Sequence, residues 1–361
     1  MKKVFLFAVA ILMALSVSAQ QIRYVDAAEL NIIGKALPTS KPFTRIDTSV
    51  YHFPTPKIER YATYSTGLAV LFTTDSKEIH AKWETSPANA GANMTAITQK
   101  GLDLYIKVDG KWIFAGVGSP NMRTAPFDKH EYAIVKNMEP GVKECMLYLP
   151  IFDYVTSLEI GIEEGASIAP LENPFRHKII IKGSSVTHGA SATRSGMTYV
   201  ARFSRNTGFD CYNLGFSGSS KLEKEYAYYL ADVEADAFIF DSFSNPSAKE
   251  IRERFNEFVD IIRAAHPEKP LIFMQTERRE TRNFSTKIEA FESEKQKAAE
   301  DVVKERMKTD KHIYFIDSEG FLGDEHIATT DGCHPTDLGF TYMLDVISPK
   351  ILKILKKYGI R

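Results

Sequence analysis

The residue pattern changes character once, between Pro170 and His177, and that change constrains the fold more than any other feature of the chain. Ahead of it, from about Arg23 to Leu171, apolar and polar residues alternate in short runs broken by turn residues. Gly67-Leu68-Ala69-Val70-Leu71-Phe72-Thr73-Thr74 runs into Asp75-Ser76, and Glu78-Ile79-His80-Ala81-Lys82-Trp83 alternates. Leu104-Tyr105-Ile106-Lys107-Val108 meets Lys111-Trp112-Ile113-Phe114 across Asp109-Gly110, a dipeptide suited to a two-residue hairpin. Cys145–Leu149 and Leu158–Ile162 continue the theme, with no amphipathic helix longer than two turns between them. Short strands with turns at intervals predict an antiparallel β-sandwich.

Beyond the polar break Glu172-Asn173-Pro174, helical spacing takes over. Leu222, Tyr226 and Leu230 share one helix face, as do Ile251, Phe255, Phe258 and Ile262, and Ile288, Phe291, Ala298 and Val302. Between these stretches lie five short apolar runs: 178–183, 211–214, 237–240, 271–274 and 313–316. Strands alternating with helices predict a parallel sheet covered on both faces. Such sheets bind ligands beyond the carboxyl ends of their strands.

Composition narrows the classes of function. With 44% hydrophobic and 25% charged residues, the chain is neither disordered nor fibrous nor a polytopic membrane protein. Lys+Arg is 45 against Asp+Glu 46, so no basic excess exists to neutralise a nucleic-acid backbone. Lys2-Lys3, the apolar run Val4–Val17 and Val17-Ser18-Ala19 before Gln20 have the pattern of a cleavable export signal, with cleavage expected after Ala19. That run is shorter than the roughly 20 residues that span a bilayer. The expected organisation is therefore a leader (1–19), a sandwich domain (20–172) and an α/β domain (178–361). The mature protein would be secreted or periplasmic and free of the membrane. Cys145, Cys211 and Cys333 are far apart and form no metal-ligand cluster, so they read as ordinary thiols. No metal or organic cofactor is implied.

Chemistry-bearing residues follow the strands. After the first parallel strand comes Gly183-Ser184-Ser185-Val186-Thr187-His188-Gly189, and after the second Asn213-Leu214-Gly215-Phe216-Ser217-Gly218. The third leads into Phe243-Ser244-Asn245, and beyond the fifth lies Asp331-Gly332-Cys333-His334-Pro335. Each has a plainer reading: Asn245 as cap of the next helix, His334-Pro335 as start of the last one, Gly218 as a backbone requirement. Together they supply the parts of an acyl transfer: Ser185 as nucleophile, His334 as base, Asp331 as orienting acid. The Ser185 and Gly218 N–H groups and the Asn245 amide would be the oxyanion donors. Arg278, Arg279 and Arg282 read as a solvated charged loop, with carboxylate recognition as the alternative. The helix at Glu289–Lys308 reads as a solvated face, and His188 as a residue that could line the cleft.

These blocks resemble, in order and over about residues 178–358, those of the SGNH (GDSL-like) hydrolases. Ser184 stands where the family usually has Asp, and Phe243-Ser244-Asn245-Pro246 lacks the glycine and trailing Asp of the family's third block. Gly101-Leu102-Asp103-Leu104-Tyr105 is similar to the Gly-x-Asp-Leu-Tyr motif of a β-sandwich domain found ahead of some of these enzymes, and reads as structural or interdomain. The resemblance implies a flavodoxin-like three-layer α/β/α domain with a five-stranded parallel sheet, preceded by a jelly-roll-like sandwich. It also implies a serine esterase acting on short-chain acyl esters, with an acylated saccharide as substrate. An acyltransferase using the same residues, and a carbohydrate-binding protein with an inactive hydrolase domain, stay open as alternatives. Oligomeric state is left open too.

Overall fold

A computed structural model describes residues 21–89 and 91–361, and the expected leader lies outside them. Among the described residues the first half holds ten strands: β1 (Ile22–Asp26), β2 (Asn31–Ile33), β3 (Ala69–Thr74), β4 (Ile79–Glu84), β5 (Leu102–Val108), β6 (Lys111–Gly118), β7 (Lys129–Val135), β8 (Lys143–Tyr148), β9 (Ser157–Glu163) and β10 (Ile168–Pro170). They form two antiparallel sheets, β1-β9-β4-β7 and β10-β3-β8-β5-β6, with β2 paired to β3. Inward side chains such as Val70, Phe72, Trp83, Leu104, Leu147 and Ile160 fill the space between them. The Asp109-Gly110 turn joins β5 to β6 with both residues at positive φ (49° and 76°), the backbone that matches strand twist in a two-residue hairpin. Two short helices, α1 (Pro56–Ala62) and α2 (Ala96–Lys100), interrupt the strands.

The second half is a parallel sheet of β11 (Arg176–Gly183), β12 (Phe209–Gly215), β13 (Ala237–Asp241), β14 (Leu271–Met274) and β15 (Ile313–Ile316), in the order β12-β11-β13-β14-β15. Its helices are α3 (Ser185–His188), α4 (Tyr199–Thr207), α5 (Lys224–Ala231), α6 (Ala248–Ala265), α7 (Thr286–Met307) and α8 (Asp337–Leu355). Because strand side chains alternate faces, Ile180, Phe238, Phe240 and Phe273 meet α5, α6 and α7, while Ile179, Ile181, Ile239 and Ile272 meet α4 and α8. This is the expected doubly covered sheet. The Ser247–Glu250 capping box starts α6, and Ile251, Phe255, Phe258 and Ile262 then bury completely. Each such burial contributes about 1.5–3 kcal/mol.

Helix α7 departs from expectation. Ile288 and Phe291, placed by spacing on the core face, are exposed, whereas Glu292 and Lys295 are buried as an ion pair. The N-terminal part of the inward face carries charge because it meets Arg279 and the Ser244 carbonyl, while Ala298, Ala299 and Val303 further along pack in the apolar core. Leu222 also lies outside α5, at positive φ, although its side chain still packs in the core.

The two halves interlock. Ala36, Ile46, Phe53, Ile58 and Ala62, all from the first half, belong to the same buried cluster as α5 and α6. Arg45 is fully buried and donates to the carbonyls of Asn213 (2.9 Å), Gly215 (3.0 Å) and Tyr61 (2.7 Å). The Gly101–Tyr105 segment forms a second junction. Asp103 accepts the Gly196 N–H at 2.8 Å, the Tyr105 hydroxyl accepts from Arg194 at 3.0 Å, and the Arg205 guanidinium lies 4.1 Å over the Tyr105 ring. The motif is interdomain, as its sequence suggests.

Burial pushes the Asp103 carboxyl up to about 6, against the pull of Arg194. A carboxyl raised on folding adds stability below its unfolded value, and that stability is lost as pH rises through about 6. Asp103→Asn should therefore gain on the wild type by about 1 kcal/mol between pH 5 and pH 7. Urea unfolding of both proteins at the two pH values checks this; a gap that does not change with pH excludes it.

Candidate active site

The strand order reverses around β11, and the turns after β11, β12 and β13 meet at that switch point. Gly183 closes β11 because nothing larger fits: a Cβ there would sit 2.0 Å from Thr187 Oγ1 and 2.7 Å from the Asp241 carbonyl. Ser184 caps α3 by accepting the Val186 N–H at 3.3 Å, so Ser185 becomes the first helical residue. The hydroxyl standing in for the family's usual Asp thus serves as a helix cap.

Ser185, His334 and Asp331 come together across 149 residues of sequence. The Asp331 Oδ1 atom accepts the backbone N–H groups of Cys333 (3.1 Å) and His334 (2.9 Å), closing the loop into a turn that holds both side chains on one side. Asp331 Oδ2 lies 2.7 Å from His334 Nδ1, and His334 Nε2 lies 2.9 Å from Ser185 Oγ. With the carboxylate facing Nδ1, that nitrogen carries the hydrogen and Nε2 is left to accept from the serine hydroxyl. Burial alone would raise the Asp331 carboxyl. The His334 N–H, the His334 ring and the Asn93 amide outweigh it and hold the group at about 2. Thr336 caps α8, so His334 is not occupied in starting that helix.

The proposed donors occupy neighbouring strand ends. Gly218 follows β12 at φ 64°, and a Cβ there would lie 3.2 Å from Lys57 Nζ on α1. Asn245 follows β13; its Oδ1 accepts the Ser220 N–H at 3.1 Å, which fixes the amide and leaves Nδ2 as the donor. Ser247, not Asn245, caps α6.

The altered third block is held from below. The Ser244 carbonyl accepts from Arg279 Nη2 (2.8 Å) and Lys295 Nζ (3.1 Å), and the Ser244 hydroxyl pairs with Thr276 Oγ1 at 2.7 Å. This ionic floor fixes both the carbonyl and the hydroxyl of Ser244, the residue before Asn245.

The arginine reading needs correction. Arg279 serves that floor, and Arg282 is buried against Glu289, Gln296 and Ser293. Only Arg278 stays exposed, 3.6 Å from Glu289, so neither a wholly solvated loop nor a three-arginine carboxylate clamp is present. His188 is corrected too. It is fully buried, stacked on Phe152 at 4.0 Å, bonded to the Ile151 carbonyl, and accepts the Ser217 N–H at 3.3 Å. Burial keeps it well below the usual histidine range, hence neutral. It braces the glycine turn and does not line the cleft. Asp337, three residues beyond His334, accepts from the Thr193 N–H and hydroxyl.

Sequence reasoning missed three contributors. Lys182 is buried beneath the turns, bonded to Ser220 Oγ at 2.6 Å and 3.9 Å over the Tyr226 ring, and burial pushes its ammonium down to about 8. A lysine inside a buried apolar strand was the available signal. Lys295 could have been found from its helix spacing with Ala298. Asn93 of the first half donates to Asp331 Oδ2 at 3.1 Å, and nothing in its local sequence marks it. Cys145 and Cys211 are buried and Cys333 half-buried, all as free thiols.

Comparison with known proteins agrees with this architecture. The family model for GDSL-like lipases/acylhydrolases matches residues 176–352, and that for GxDLY, the N-terminus of SGNH-hydrolase-type esterases, matches residues 22–168. The crystal structure of a GDSL-like lipase from Bacteroides ovatus is 48% identical, with TM-score 0.90, over 93% of this chain and 98% of that one. A salicylyl-acyltransferase, SsfX3, from a tetracycline biosynthetic pathway shares the fold at 20% identity and TM-score 0.71, over 94% of this chain and 99% of its own. A family two carbohydrate esterase from Clostridium thermocellum shares it at 13% identity and TM-score 0.58, over 81% and 93%. No curated protein matches in sequence. With its strand-end site, its interlocked sandwich and this close relative, the chain belongs to the GDSL-like lipase/acylhydrolase family and is an SGNH hydrolase with a GxDLY N-terminal domain.

Proposed function

We propose that this protein is a serine esterase that removes short acyl groups, acetyl first among them, from carbohydrate through a Ser185–His334–Asp331 triad. The observation that carries the reading is the unbroken chain from Asp331 to His334 (2.7 Å) to Ser185 (2.9 Å) at the sheet's switch point. His334 Nε2 takes the Ser185 proton as Oγ attacks the ester carbonyl. Asp331 holds the ring's tautomer and offsets the positive charge it gains. The developing oxyanion is received by the Ser185 and Gly218 N–H groups and by Asn245 Nδ2. Collapse expels the sugar alcohol, which takes its proton from His334. Water, deprotonated by the same ring, then releases the acid and restores Ser185.

The fold shared with carbohydrate esterases from Clostridium thermocellum and Cellvibrio japonicus supports the choice of alcohol. The leader-like residues 1–19 support export to where polysaccharide is met, and fractionation of cells expressing the full chain tests that. Nitrophenyl acetate should turn over faster than butyrate and at least about tenfold faster than octanoate. Acetylated xylan, pectin and mannan, assayed for acetate release, identify the natural class. Faster octanoate turnover sinks the short-acyl reading. Acyl transfer to an added alcohol in preference to water would make the enzyme an acyltransferase with the same machinery.

A further inference from the structure

We infer that Asn93, carried by the sandwich half, is a positioning residue for the Asp331–His334 pair, so that the reacting set is completed across the two halves. This rests on reading Ser185, His334 and Asp331 as the catalytic group. Asn93 Nδ2 lies 3.1 Å from Asp331 Oδ2 and 3.4 Å from His334 Nδ1. The ring nitrogen already directs its hydrogen at the same carboxylate oxygen, so the amide donates to Asp331 and only abuts the ring. Asp331 Oδ2 thereby receives two donors and Oδ1 two more, the backbone N–H groups of Cys333 and His334. With its lone pairs engaged in four directions, the carboxylate cannot rotate away from the imidazole.

The Asn93 loop is built to hold this position. Ser191 Oγ donates to the Asn93 carbonyl at 2.9 Å, Thr95 Oγ1 to the Thr193 carbonyl at 2.9 Å, and Thr98 Oγ1 to the Ala192 carbonyl at 2.5 Å. These three contacts run along the segment that directly follows the Ser185 helix. Nucleophile and Asn93 are therefore referenced to the same piece of backbone. On the other side Gln99 anchors the loop by donating to the Asn89 carbonyl at 3.0 Å and accepting the Gly91 N–H. An amide whose only task was to fix the loop would not need to face the acid of the triad.

The test uses the full chain and two readouts: ester kinetics, and the rate at which a fluorophosphonate probe labels Ser185, which needs no natural substrate. Asn93→Ala should lower kcat and the labelling rate on the order of tenfold with KM nearly unchanged, since one charge-assisted hydrogen bond to a partly exposed carboxylate is lost. Asn93→Asp, which keeps the shape but faces Asp331 with a second carboxylate, should lose more. In an Asp331→Ala background, Asn93→Ala should have no further effect, because the residue acts only through that carboxylate. A merely structural role would add its loss in either background and would appear as a lowered unfolding midpoint. If Ser185→Ala is inert while Asn93→Ala labels and turns over like wild type, the inference is overturned and the triad reading stands. If wild-type Ser185 neither labels nor supports turnover, both are overturned.

Discussion

Ser185→Ala is expected to abolish ester turnover, by a factor on the order of 10⁴ or more in kcat, in a protein that keeps its fold. The hydroxyl contributes one hydrogen bond at the rim of the turn, whereas Gly183, the Ser184 cap and Gly189 hold α3 without it. His334→Ala should be nearly as severe, because an alcohol without its base is a weak nucleophile. Asp331→Asn should lose less in kcat, since the loop can still present the ring. The losses should not add, because the three side chains act as one unit. Asn245→Ala should cost about 10²–10³ in kcat with little change in KM, the loss typical of one oxyanion donor. Steady-state kinetics with circular dichroism on each variant checks the series. Wild-type activity in a folded Ser185→Ala protein would falsify the assignment.

A chain cut to begin at Phe175 is expected to yield no soluble, active protein. The α/β half would lose Ile46, Phe53 and Ile58 from the cluster over α5 and α6, leaving an apolar trough open to water. It would also lose Arg45, whose guanidinium satisfies the carbonyls of Asn213 and Gly215 at the end of β12, next to the glycine turn. Expression of the fragment, with its sedimentation and esterase rate, checks this; a monodisperse, fully active fragment would show that the junction is dispensable.

Much of the fold was legible because it is written in local period. Alternation set the sandwich strands, and Asp109-Gly110 set their hairpin, since few dipeptides accept positive φ twice. The five parallel strands announced themselves as short apolar runs, because a strand covered on both faces has no polar side. That Ser185, Asp331 and His334 would meet was legible for a related reason. An acyl transfer of the proposed kind needs a hydroxyl, an acid and an imidazole at strand ends, and glycines such as Gly183 flank those ends where backbones crowd.

Where the sequence misled, the cause was distance. Spacing placed Ile288 and Phe291 inward on α7, but Glu292 and Lys295 took that face, Glu292 pairing with Arg279 and Lys295 donating to the Ser244 carbonyl 51 residues away. His188 looked like a cleft residue until Phe152 and Ile151 of the sandwich half covered it.

Period and glycine placement act within a few residues, and they were enough to specify the two kinds of sheet, the order of the blocks and the side chains proposed to react. That the halves share a core through Ala36–Ala62, that Arg279 holds the Ser244 carbonyl of the altered third block, and that Asn93 reaches Asp331 emerged only in three dimensions. These contacts join segments from 35 residues apart, as at Ser244 and Arg279, to 238 apart, as at Asn93 and Asp331. Hydrogen-bond satisfaction and desolvation choose such partners in three dimensions, and local pattern does not record them.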